Sequence, residues 1–231
     1  MLTEELRRSL KTGDIILCSG NSAASQAIIV FNKMQRIKEL IKDKDVNPLD
    51  ILGMLDGDKS LELSHLALVV KITQAELDMN PELAEVFMCG AGLYAFESTT
   101  GNIDWSGIRG VQINPLDDFI RYYDGDVYLR PLHFDTTSIN LEMIETMIGM
   151  LGMDYENGIP GMFELAMTFN KDIRIDTDEP HCTEGGVIVL KKHNLCVKET
   201  DEHKLPPCKF GDGKEFEDFA TCKIGAMVQI K

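Results

Sequence analysis

Residues 63 to 72 read LSHLALVVKI, a continuous apolar run too short for a buried helix and rich in valine. Such a run is a buried strand, and it fixes much of what can surround it. Further strand signals follow without long helices between them. VFMCGAGLYAFEST at 86 to 99 reads as two short strands about a Gly-Ala-Gly turn, or as one strand with a bulge; GVQINP and DVYLRPL read as two more, separated by one or two helical turns in LDDFIRYY. With GDIILCS at 13 to 19 leading in, this gives four to six sequential strands, which implies a mostly antiparallel sheet.

Helical spacing lies on either side of that β-rich middle. Residues 3 to 10 form a short helix, and SAASQAIIVFNKMQRIKELIKDK carries Ile28, Phe31, Ile37 and Ile41 before the charge run KDKD and Asn47-Pro48 end it. The stretch on to Ser64 reads as loop with one turn of helix. After Pro131, residues 136 to 151 place Ile139, Ile144, Met147, Ile148 and Leu151 on one helical face, and GIPGMFELAMTF supplies another helix. CTEGGVIVLKKHN is a third, weakened by two glycines that each cost about 1 kcal/mol against alanine. LPPCKFGDGKEF is loop, and AMVQI a last strand. The expected class is α+β, a mostly antiparallel sheet or partial barrel packed against helices, in one domain over 1–231.

Charge narrows the partners. Thirty-eight acidic residues against 23 basic ones give -15, which repels phosphate backbones and anionic headgroups at long range, so nucleic acid is not an expected partner. No apolar stretch has the length of a membrane span or the form of a signal peptide, so integral membrane association is not expected and the expected location is cytoplasmic. Six cysteines spread through such a chain read as free thiols. His181, Cys182, His193, Cys196, His203, Cys208 and Cys222 crowd the last fifty residues, but only HNLC offers a pair at ligand spacing, where a structural zinc site usually shows two. No metal and no cofactor are expected.

A nucleophilic thiol needs a base, and the base needs an orienting partner. Cys182 stands at a predicted helix start, where unpaired N–H groups and the dipole favour thiolate; His65 opens a buried strand; Glu97 lies near the end of a following strand, and antiparallel neighbours can set it beside the histidine. Each residue has a plain structural reading: a buried cysteine usually packs as a small apolar residue, and a strand-end histidine or acid is commonly solvated. Their joint arrangement raises all three. His181 is adjacent to the thiol, yet neighbouring side chains on a starting helix diverge.

The order His65, Glu97, Cys182 resembles the circularly permuted branch of the NlpC-type papain-like superfamily, which includes the bacterial YiiX-like proteins and their poxvirus relatives. KTGDIIL resembles the family's opening strand motif, SHLALVV its Ser-His strand, AFEST its acid-bearing strand, GVQINPLDDFI and VYLRPL its next two strands, GMDYENGIP the segment ahead of the nucleophile, and HCTE its Cys-Ser-Glu. The likeness runs from about residue 11 to 225. It implies a permuted papain-like fold and a thiol hydrolase or acyltransferase working through an acyl-enzyme on a peptide, amide or lipid ester or thioester. Cys182 would be the nucleophile, His65 the base, Glu97 the orienter and the Cys182 N–H an oxyanion donor. Tyr155 would contact substrate or oxyanion, and Asp14 would hold the opening loop. The chain departs from the family at Gly185-Gly186, which would loosen the nucleophile helix or let it approach the sheet closely, at an insert over about 32–62, and at a variable acidic segment over about 198–219. These departures motivate the alternative, a catalytically inactive papain-like binding protein, virion-associated if the source is viral.

Overall fold

The apolar run at 63–72 folds as a strand near the middle of a six-stranded sheet. The structure is a computed structural model, and the residues it describes are 2–42, 55, 58–99, 109–135, 137–154, 182–195, 207–211 and 223–231. In chain order they form α1 (Glu4–Ser9), β1 (Ile15–Gly20), α2 (Ala23–Lys42), β2 (His65–Ile72), α3 (Gln74–Met79), α4 (Leu83–Val86), β3 (Gly92–Thr99), β4 (Gly110–Pro115), α5 (Leu116–Tyr122), β5 (Gly125–Arg130), β6 (Leu132–His133), α6 (Asn140–Ile148), α7 (Cys182–Lys192), β7 (Lys223–Ile224) and β8 (Val228–Gln229). The fold is mixed α+β. The sheet order is β4-β3-β2-β1-β5-β8 with every pairing antiparallel, and β6 pairs with β7 beside it.

Alternation along the strands sends side chains to two covered faces. Leu17, Leu66, Leu68, Val70 and Phe96 meet Met143 and Met147 of α6 and Val187 and Leu190 of α7. Ile16, Cys18, Ala67, Val69 and Ala95 meet Leu2 and Leu10, which flank α1, and Phe119 and Ile120 of α5. Because both faces are buried, Leu66 to Val70 of β2 reads as an unbroken apolar run where a half-exposed strand would alternate.

Two short helices follow β2 that the sequence reading passed over. α3 opens with a capping box in which the Thr73 hydroxyl accepts from the Glu76 N–H and the Glu76 carboxylate accepts from the Thr73 N–H. Of the two readings of 86 to 99, two strands is corrected to one, which is shorter than the segment and shows a turn where a bulge was the alternative. Val86 ends α4, Phe87 buries its ring edge-on against Tyr94 at 4.8 Å, Met88 is 86% exposed, and Gly90 turns the chain at φ 81° so that β3 starts only at Gly92. An apolar residue left that exposed beside a glycine in the left-handed region belongs to a turn. The helix expected over 136–151 is shorter, Asn140–Ile148, led in by one 3-10 turn at Thr137–Ile139. GIPGMFELAMTF lies outside the described residues, as do most of the 43–57 part of the insert and most of 198–219.

The C-terminal segments are tied to the sheet through a buried cation. Arg130 ends β5 with 2% of its surface exposed; its Nη1 donates to the carbonyls of Phe210 (2.7 Å) and Gly211, and its Nε to that of Gly225 (3.1 Å). No described helix is long and apolar enough to cross a membrane.

Candidate active site

His65 is the first residue of β2, and three strands build its surroundings. On one side β1 places Cys18 directly opposite it. On the other, β3 pairs Ala67 with Glu97, so Glu97 stands diagonally across from His65 on the same sheet face. His65 Nε2 donates to Glu97 Oε2 at 2.8 Å, with side chains 4% and 2% exposed. The approach to the strand is fixed by Ser64, whose Oγ accepts the Gly20 N–H (3.0 Å), and by Asn32 of α2, whose Nδ2 donates to the Leu63 carbonyl (2.9 Å).

Glu97 is itself held. The next strand presents Gln112 opposite it and Asn114 two residues further on, and both amides donate to Glu97 Oε1 at 3.3 Å. One carboxylate oxygen therefore faces the imidazole while the other is occupied, which fixes the orientation of the His65 partner. Sequence reasoning missed these two residues. Their signal is present in GVQINP, where amides alternate with Val111 and Ile113 on a strand whose polar positions are buried.

Cys182 arrives from the opposite face. α7 packs against the Leu66, Leu68 and Phe96 side of the sheet, and Cys182, its first residue, lies near enough to the His65 ring to hold a proton on it. This close seat of the helix depends on Gly186: a Cβ there would lie 2.4 Å from Leu66 Cδ2. Of the two consequences open for Gly185-Gly186, close approach to the sheet is the one observed.

Burial would strip the proton from His65, but the hydrogen bonds to Cys182 and Glu97 and their negative charge outweigh it and raise its pKa from 6.5 to about 10. The imidazole is therefore cationic at neutral pH, between a carboxylate and a sulfur. Phe119 and Tyr123 lie alongside it, ring centroids 6.4 and 6.0 Å away. The Tyr123 hydroxyl is buried next to Ser64 with no well-formed hydrogen bond. Cys18, fully buried, is pushed up by burial and by the Glu97 charge, and so stays a thiol.

A group whose folded pKa is raised stabilises the fold fully below its unfolded value and ceases to do so as pH climbs through the folded one. The His65 contribution is thus complete below about pH 6.5 and is lost toward about pH 10. Glu97→Gln removes one of the two charges that hold the proton, so the His65 imidazole nitrogens, followed by NMR, should titrate at lower pH than in the wild type. An unchanged titration would mean that Glu97 does not set the charge of the ring.

Asp14 does not join this group. It precedes β1 by one residue, four residues from Cys18, or roughly 13 Å along the strand. Its Oδ2 accepts the Lys11 N–H (3.0 Å) and its Oδ1 the Leu132 N–H (2.8 Å), tying the opening loop to β6, and burial raises its pKa to about 6 against those bonds. Tyr155 and His181 lie outside the described residues, as do Cys196, His203 and Cys222 of the zinc alternative; His193 hydrogen-bonds Thr146 Oγ1 at 3.0 Å. Among the described residues no group of three metal-ligating side chains converges. Cys18, Cys89, Cys182 and Cys208 form no disulfide. No protein-family model matches the chain, and comparison with curated proteins finds no match either.

Proposed function

We propose that this protein is a thiol acyl-transfer enzyme of permuted papain-like architecture, acting on an amide or a lipid ester or thioester. One observation carries the reading: His65 donates to a fixed carboxylate through Nε2, and a cysteine at a helix start is near enough to raise the pKa of the same ring. The coupling is reciprocal, because whatever holds the proton on His65 equally favours thiolate at Cys182. The dipole of an 11-residue helix adds to it.

In the proposed cycle the Cys182 thiolate attacks the acyl carbonyl. The oxyanion forms against the Cys182 backbone N–H, and His65 passes its proton to the departing amine, alcohol or thiol. Neutral His65 then takes a proton from water or an acceptor as that attacks the thioester, which restores thiolate and imidazolium. Glu97 keeps the ring oriented and its charge balanced throughout.

The test is to offer an acyl thioester and an activated ester, quench with acid, and search for the acyl group on Cys182 by peptide mass spectrometry. The expected adduct sits on Cys182 alone and disappears in Cys182→Ala together with turnover. Turnover that survives Cys182→Ala would overturn the proposal. The alternative, an inactive binding protein that keeps the fold, draws on the burial of the pair, with Cys182 5% and His65 3% exposed; it predicts no adduct with any acyl donor.

A further inference from the structure

Among the described residues the longest helix, α2, carries an exposed apolar stripe. At 3.6 residues per turn, Ala27, Val30, Met34 and Ile41 fall within an arc of about 60°, and Val30, Met34 and Ile41 are 56%, 53% and 63% exposed. The buried face of α2, with Ser25, Ile29, Asn32 and Leu40, lies about 150° away. The stripe is therefore a second apolar face, turned from the core and about 21 Å long at 1.5 Å per residue.

Its charge setting is unlike that of the rest of the chain. The helix sequence AASQAIIVFNKMQRIKELIK holds Lys33, Arg36, Lys38 and Lys42 against the single acid Glu39, in a protein of formal charge -15. Lys33 and Lys38 stand on opposite flanks of the stripe; Lys38 is exposed, and Lys33 faces Glu62 at the 4.0 Å limit of an ion pair. Apolar residues bounded by lysines match the boundary between acyl chains and anionic headgroups, where lysine stems lie along the apolar layer and their ammonium groups reach phosphate. A second copy of the helix would bring cation against cation. A polyphosphate would leave the apolar stripe in water.

We propose that α2 is a peripheral docking helix that lies on an anionic lipid surface through Ala27, Val30, Met34 and Ile41, flanked by Lys33 and Lys38. The net charge opposes approach from afar, while within a Debye length of about 8 Å the charges of α2 itself, four basic residues against Glu39, carry the most weight. Docking of this kind is reversible and is weakened by salt. It stands apart from the thiol chemistry, so Cys182→Ala should dock like the wild type.

The test is flotation of the full chain with vesicles of phosphatidylcholine alone and with about a third phosphatidylserine. The wild type should float with the anionic vesicles and release at high salt. Both Val30→Ser/Met34→Ser/Ile41→Ser and Lys38→Glu should reduce binding about tenfold or more, with melting temperatures near that of the wild type because these positions are exposed. Equal binding to neutral vesicles, binding untouched by either variant, or a wild type that stays unbound while dimerising through the stripe would each overturn the proposal.

Discussion

His65→Ala should lower acyl-transfer turnover by about a thousandfold or more, the scale seen when a general base and its ion pair are removed together. A readout that needs no substrate is the rate of Cys182 alkylation by iodoacetamide. On the proposed reading the sulfur shares a buried pair with His65, whose pKa is raised to about 10. The wild-type rate should then be nearly flat from about pH 6 to 8, whereas a thiol of ordinary pKa near 8.5 gains about tenfold per pH unit below that value. At about pH 6 the ordinary thiol is only about 0.3% ionised, and after allowance for the lower nucleophilicity of a more acidic thiolate, wild type should still lead by about tenfold. Access works against this outcome, because Cys182 is 5% exposed and deleting the imidazole opens space beside it. A fall in rate despite that opening can only come from lost activation. Exposed Cys89 reports reagent activity in the same sample. A Cys182 that labels equally well in both proteins would show that the histidine does not activate the thiol and would leave the fold without the chemistry.

The sheet was legible because its signals are local. Val69, Val70 and Ile72 in an unbroken run, and Gln112-Ile113-Asn114 between turn signals, specify strand whatever they pack against. Two antiparallel neighbours allowed Glu97 to stand beside His65, and the hydrogen bond between them is what the structure adds. What escaped was set by tertiary context. Phe87 belongs to a turn because Tyr94 receives its ring, and nothing in VFMCG announces this. Gln112 and Asn114 look like ordinary strand polarity until the buried Glu97 opposite gives them a partner. The α3 capping box was readable in TQAE and was passed over. Gly185-Gly186 reads as helix weakness from propensity alone, and only the distance to Leu66 turns it into a requirement of packing.

That requirement gives the second large effect. Gly186→Val should destabilise the protein by about 2–3 kcal/mol, the range for overpacking a filled core, and should lower Cys182 reactivity toward the His65→Ala level. The Cβ alone would sit 2.4 Å from Leu66 Cδ2 and within 4 Å of two further carbons of Leu68, and both leucines are 0% exposed, so neither has solvent to move into. The helix must shift outward instead, and Cys182 at its start shifts with it, away from a ring that Glu97 and two strands hold in place. A displacement of about 1 Å at reacting atoms costs about a hundredfold in rate. Gly186→Ala sets the sign of the balance: alanine returns about 1 kcal/mol of helix propensity, which offsets part of the steric penalty, so it should be milder in stability than valine yet still impaired in reactivity. Leu66→Ala removes the colliding methyl group, and the pair Leu66→Ala/Gly186→Ala should recover more stability and more Cys182 alkylation than the two single changes predict by addition. Gly185→Ala is the control, because its Cβ would meet nothing closer than 3.8 Å and should gain propensity without moving the helix. If Gly186→Val melted and alkylated like the wild type, the helix would not be seated by that glycine, and the geometry that joins Cys182 to His65 would need another cause.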